Sequence, residues 1–228
     1  MASSVRPNRS APKGPVRPRG FARKSAVIAC GVLVVLSACS DPPVDTKALP
    51  PEHALADSLI VNIEDVRRIA NFEGLQPYSY ADRHHPLGNL NAPGPCRAVG
   101  SSDLTFTAGW KEYRAVAYSG TTDDLRPGGI APINEVSHAV AVYPDAGAAR
   151  VALTQLESRL TQCASLHDSA YDFALTKPDS STLRLGSAGW SHLYRVKSAV
   201  LVSVGVLGIE PTEQIANAVL RTITDRIK

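Results

Sequence analysis

Residues 190–207 read WSHLYRVKSAVLVSVGVL, and their pattern decides the fold. In Trp190–Lys197 the side chains alternate with period two, placing Trp190, His192 and Tyr194 on one face of a strand. Ala199–Leu207 is almost wholly apolar, the signature of a strand covered on both faces and therefore central in its sheet. Two strands so close in sequence form a hairpin and run antiparallel. Toward the C-terminus, Pro211 marks a helix start, and Ile215, Val219, Leu220, Ile223 and Ile227 line that helix.

Working back toward the N-terminus, Thr182–Leu185 and Tyr171–Thr176 are short strands. Pro144-Asp145 opens a helix over Ala146–Cys163, with Ala149, Leu153, Leu156 and Leu160 on one stripe. Glu135–Tyr143 (EVSHAVAVY) is a strand whose Val136, Val140 and Val142 share a face with His138, and Trp110–Ser119 is another, with Arg114, Val116 and Tyr118 on one face. Gln76–Pro95, rich in Pro, Gly and Asn, reads as a long loop. Ahead of it, Leu55, Leu59, Val66 and Ile69 recur at helical spacing from Glu52 until Gly74 ends the pattern. Strands come in neighbouring pairs rather than alternating singly with helices. That order predicts an α+β domain over residues 52–228, an antiparallel β-sheet packed with helices.

The charge is segregated. Residues 1–38 carry seven basic side chains and no acid, so the remainder holds 17 Lys+Arg against 21 Asp+Glu, a formal −4. The overall +3 belongs to the N-terminal segment. A mildly acidic folded part argues against nucleic acid as a partner.

Ser25–Ala38 is a 14-residue apolar run behind that basic segment. As a helix it would rise about 21 Å, short of the roughly 30 Å hydrocarbon core of a bilayer. A basic stretch, a short apolar run and small residues before a cut site form a secretory signal, here residues 1–38. The closing Leu36-Ser37-Ala38-Cys39 resembles the bacterial lipobox, which implies diacylglyceryl modification of Cys39 and cleavage just before it. Two acyl chains anchor stably where one does not. Residues 39–51, with four prolines, then form an extended tether. The expected location is the extracytoplasmic face of the cell membrane, with the membrane itself as one partner.

Cys30 leaves with the signal and Cys39 is lipidated, so Cys96 and Cys163 remain as a pair in an oxidising compartment. Neither lies at metal-ligand spacing from another cysteine, nor within a recognisable histidine motif, and a structural disulfide is expected.

The run LADSLIVNIEDVRRIANFEGLQP, the Pro-rich loop into Cys96, GWKEYRAVAYSG, the VSHAVAVYPDAGAAR junction and Gln162-Cys163 together resemble an extracytoplasmic sensor-domain family. That family includes the outer domain of the mycobacterial serine/threonine kinase PknH and many actinobacterial lipoproteins. The resemblance implies one α+β domain with a cleft for an unidentified ligand. It also implies that Cys96–Cys163 matches one of the kinase's two disulfides; the second is missing, Ser165 standing where a nearby cysteine would be expected. Signalling would then pass through a partner, since no kinase domain precedes the domain in this sequence.

Catalytic patterns are weak. Gly186-Ser187-Ala188-Gly189 brings its second glycine one residue early for a nucleophile elbow, although Ser187, His192 and Asp168 complete a triad on paper. His84-His85 is adjacent rather than spaced for metal, Asp123-Asp124 lacks the ligand count of a calcium site, and Gly128-Gly129 is followed by no phosphate-binding residues. Arg67 and Arg68 form a solvated face or meet an anion. No cofactor, metal or catalytic residue is expected. The strand residues Arg114, Tyr118, Trp190, His192 and Tyr194 are the candidate ligand lining, if their faces border a cleft rather than pack beneath a helix. The reading is a non-catalytic, lipid-anchored envelope protein binding a small molecule or another envelope protein. The alternatives are an envelope lipid or glycan carrier or accessory factor, a hydrolase or transferase using Ser187 or a carboxylate, and a purely structural interaction module.

Overall fold

The computed structural model describes residues 54–122 and 132–228. The signal segment, Cys39, the tether, and the Asp123-Asp124 and Gly128-Gly129 pairs lie outside the described residues.

Seven strands form one antiparallel sheet: β1 (Gln76–Pro77), β2 (Glu112–Thr121), β3 (Ile133–Val142), β4 (Ala174–Asp179), β5 (Thr182–Ser187), β6 (Trp190–Lys197) and β7 (Val200–Leu207). Their spatial order is β1-β2-β3-β7-β6-β5-β4. The apolar β7 therefore occupies the middle, as its composition requires. The helices are α1 (Ala54–Leu59), α2 (Ile63–Ala70), α3 (Ala146–Ser165) and α4 (Thr212–Asp225). Asp145 caps α3 by accepting from the Ala148 N–H at 2.9 Å.

Period-two alternation divides the core into two layers. On one face Val116, Val136, Val140, Leu193, Val202 and Val204 pack under α1, α2 and α4. On the other, Tyr113, Ala139, Ala141, Tyr194 and Leu201 meet the Leu153, Leu156 and Leu160 stripe of α3 together with Phe106. The Cys96–Cys163 disulfide, with Cα atoms 4.7 Å apart, ties a 3-10 turn at Gly94–Ala98 to the last turn of α3.

Two expectations are corrected. The helix expected from Glu52 through Ile69 is two helices. Asn62 caps α2 through its side chain (Asp65 N–H, 2.8 Å), and the backbone at Val61 is bound to the sheet instead of to a helical ladder. Val61 N–H donates to His138 Nε2 at 3.1 Å and Val61 C=O accepts from the Tyr118 hydroxyl at 2.9 Å. Leu55, expected on the buried stripe, is consequently exposed. The strand expected at Tyr171–Thr176 starts at Ala174, because Asp168 caps a 3-10 turn over Ser169–Tyr171.

Candidate functional site

Strand register builds a shallow floor on the α3 face of the sheet. One cross-strand row runs Ala117, Ser137, Gly205, His192, and the next runs Ser119, Glu135, Leu207, Trp190. Small side chains in the first row leave the surface low, because cross-strand neighbours set the local height of a sheet face. At Gly205 the space is used up: a Cβ there would lie 2.7 Å from His192 Nδ1 and 2.9 Å from Ser137 Oγ. Only glycine admits the imidazole at that depth.

Two loop segments wall this floor into a groove of about 450 Å³, with Tyr78, Tyr80, Arg83 and Leu87 on one side and Val99–Ser101 on another. The first is fastened to β2 through its backbone, by Tyr78 N–H to Ala117 C=O (2.9 Å) and a reciprocal pair between Arg83 and Ala115 (3.0 and 2.9 Å). The second is fastened by Tyr194. Its hydroxyl accepts from the Gly100 N–H at 2.9 Å and donates to the Gly100 C=O at 3.2 Å. Gly100 itself sits at φ +85°, a region favouring glycine. Ser101 Oγ lies 3.0 Å from Ser203 Oγ, which lies 2.7 Å from His192 Nε2.

His192 is buried and stacks on Tyr194 with ring centroids 4.6 Å apart. Burial lowers its pKa to about 3, so it is neutral at neutral pH. Glu135 differs. Its carboxyl is pushed above the usual carboxylate range by burial, which outweighs the hydrogen bond from Ser137. Among the described residues no ion pair reaches it.

The five expected lining residues do not share one cleft. Trp190 and His192 border the groove. Tyr194 lies beneath it as a fastener for Gly100. Arg114 and Tyr118 are on the opposite face, where they border a separate cavity of about 730 Å³: Arg114 pairs with Val140 and Tyr118 with Val136, both in the layer under α1, α2 and α4. That separation follows from parity, since even-numbered residues of β2 and even-numbered residues of β6 point to opposite sides once β3 and β7 intervene. Arg114 is a clamp, with Nε 2.9 Å from Asp57, a terminal nitrogen 2.5 Å from Asp82, and a bond to the Ala115 C=O. Tyr118 holds Val61.

The paper triad does not assemble. His192 bonds Ser203, Asp168 bonds the Ala170 N–H, and Ser187 lines a separate cavity of about 330 Å³ beside Arg184 and Glu213. Ser203 is fully buried, which removes it as a nucleophile. Arg67 bonds the Leu75 C=O and Arg68 pairs with Asp65. No group of three His, Cys, Asp or Glu that could hold a metal occurs among the described residues. Glu135, Ser137, Gly205, Leu207, Tyr78 and Tyr80 escaped the sequence reading. The available signal was the alternation opposite the valines of EVSHAVAVY, which leaves a carboxylate and a hydroxyl on the other face.

A family model described as PknH-like extracellular domain matches residues 51–226. Among solved structures, the extracellular domain of PknH from Mycobacterium tuberculosis superposes with a TM-score of 0.54 at 18% identity, covering 78% of this chain and 97% of that one. No curated protein matches. Among the described residues no helix is long and apolar enough to cross a membrane.

Proposed function

The chain belongs to the PknH-like extracellular domain family, and from that membership we propose a lipid-anchored protein whose domain binds a small molecule or an envelope protein outside the cell membrane, without catalysing a reaction. The observation that carries the binding reading is the groove: an apolar, aromatic-edged concavity with a few polar groups on its floor, the usual build of a ligand site. The anchor reading rests on Leu36-Ser37-Ala38-Cys39 behind its apolar run, with residues 39–51 as a proline-rich tether.

The first turn of α1 is held to β2 by Glu112, whose carboxylate accepts from the Leu55 and Ala56 N–H groups at 3.0 Å each. A second reading, a carrier of envelope lipid or glycan, is favoured by the exposed Tyr78, Tyr80 and Leu87 on the groove wall.

The test is native mass spectrometry of the full-length protein expressed in a bacterial membrane, compared with its denatured mass. The anchor predicts a denatured chain beginning at diacylated Cys39, and an unmodified N-terminus refutes it. Binding predicts a native-only adduct, or a protein cross-linked through a photoreactive residue at Tyr80, lost in Gly205→Phe. Neither adduct nor cross-link refutes the groove as a site.

A further inference from the structure

Glu135 is a charged group on the groove floor that ties down no neighbouring segment among the described residues. Arg114, His138, Tyr118, Tyr194 and Ser203 each hold a neighbouring segment in place. Among the described residues the Glu135 side chain has no bond beyond one from Ser137 on its own strand. It sits in the row between Ser119 and Leu207, with Trp190 one strand further on. With strands about 4.8 Å apart, its Cα is roughly 10 Å from that of Trp190, close enough for one small molecule to touch both.

The charge around it is one-sided among the described residues. His192 stays neutral, and Arg83, the other charged group on the lining, forms no ion pair with Glu135. Arg83 is bridged to Ala115, four residues along β2 from Ser119, or about 13 Å, and its Nε donates to the Tyr80 C=O. A half-buried carboxylate with no cation beside it is partly desolvated and uncompensated, and a ligand that brings the cation relieves that cost. Trp190 and Tyr78 supply aromatic faces, which attract ammonium groups as well as apolar surface.

We infer that the groove is specific for organic cations: an ammonium group seats against the Glu135 carboxylate, and its apolar or aromatic body lies along Leu207 and Trp190. Anionic molecules are repelled at this end, and neutral ones of the same shape bind through the body alone. The inference rests on the groove being the binding site, and the experiment separates the two.

Three probes of matched size are titrated into the full-length protein: 2-phenylethylammonium, 2-phenylethanol and 3-phenylpropanoate. Binding is read by Trp190 fluorescence in a Trp110→Phe background and by the amide resonances of Ser137 and Gly205. The ammonium probe binds about tenfold or more tightly than the alcohol, the strength of one charge-assisted hydrogen bond, and the carboxylate probe most weakly. Glu135→Gln removes the preference without weakening the alcohol, and Arg83→Gln preserves it. If the alcohol or the carboxylate binds the groove as tightly as the ammonium, the groove stands as a site and its assignment to cations is overturned. If none of the three moves Trp190, Ser137 or Gly205, both are overturned. The comparison among probes is made on the unmutated groove, so it holds even where Glu135→Gln misfolds.

Discussion

Acidification is the perturbation for which the structure makes the sharpest quantitative statement. His138 and His192 are both buried on the sheet, one on each face, and burial lowers each pKa to about 3 from an ordinary 6.5. His138 is further opposed to protonation by the nearby Arg226 and Arg114, and its Nε2 is already occupied as the acceptor for Val61 N–H. A histidine whose folded pKa is depressed binds its proton only on unfolding. Stability is therefore at full value above pH 6.5 and is lost as pH falls from there toward 3. Each residue loses roughly 2 kcal/mol between pH 7 and pH 5, about 4 kcal/mol for the pair. Glu135 works the other way, because its raised pKa lets the folded state take up a proton first, which offsets part of the loss. Asp82, depressed by its hydrogen bond from Arg114, and Asp179, depressed by Ser181, contribute their losses mainly below pH 4. The assay is urea unfolding followed by circular dichroism at pH 7, 6 and 5. The expected result is a fall of about 3–4 kcal/mol in unfolding free energy across that range, largely abolished in a His138→Gln, His192→Gln double variant. A fall under about 1 kcal/mol, or an equal fall in the double variant, would refute the reasoning.

Two further outcomes follow from particular contacts. Replacing Cys96 and Cys163 by alanine, singly or together, costs the same roughly 4 kcal/mol in denaturant unfolding, since the bond closes a 67-residue separation and each change removes the same bond; additive losses contradict it. Gly120→Ala places a Cβ 2.4 Å from the Gly74 carbonyl oxygen, a backbone atom that has no side-chain freedom to yield. A melting temperature lower by about 5–10 °C is expected, against little change for Gly186→Ala, where a Cβ meets nothing within 4 Å.

Much of the architecture was legible because it depends on local periodicity. The unbroken apolar run of β7 identified the central strand, the three-four spacing of α3 and α4 identified their buried stripes, and four cysteines reduced to one pair. The break at Val61 was not legible, since residues 54–70 keep helical spacing across it. What breaks the helix is His138 and Tyr118, more than fifty residues away, binding the Val61 backbone.

The site was legible only in halves. Alternation within one strand tells which residues share a side, and so Trp190 and His192 were found together, as were Arg114 and Tyr118. Alternation cannot say which side of one strand joins which side of another. That depends on register through β3 and β7, and a shift of one residue would reverse it. The sequence by itself determined the main strands, the two long helices, the disulfide pair and the fold class, all consequences of side-chain pattern along the chain. Tertiary structure alone decided that Glu135, Ser137, Gly205, His192 and Trp190 form one floor while Arg114 and Tyr118 lie behind it, because that grouping is a property of strand pairing and not of any single strand.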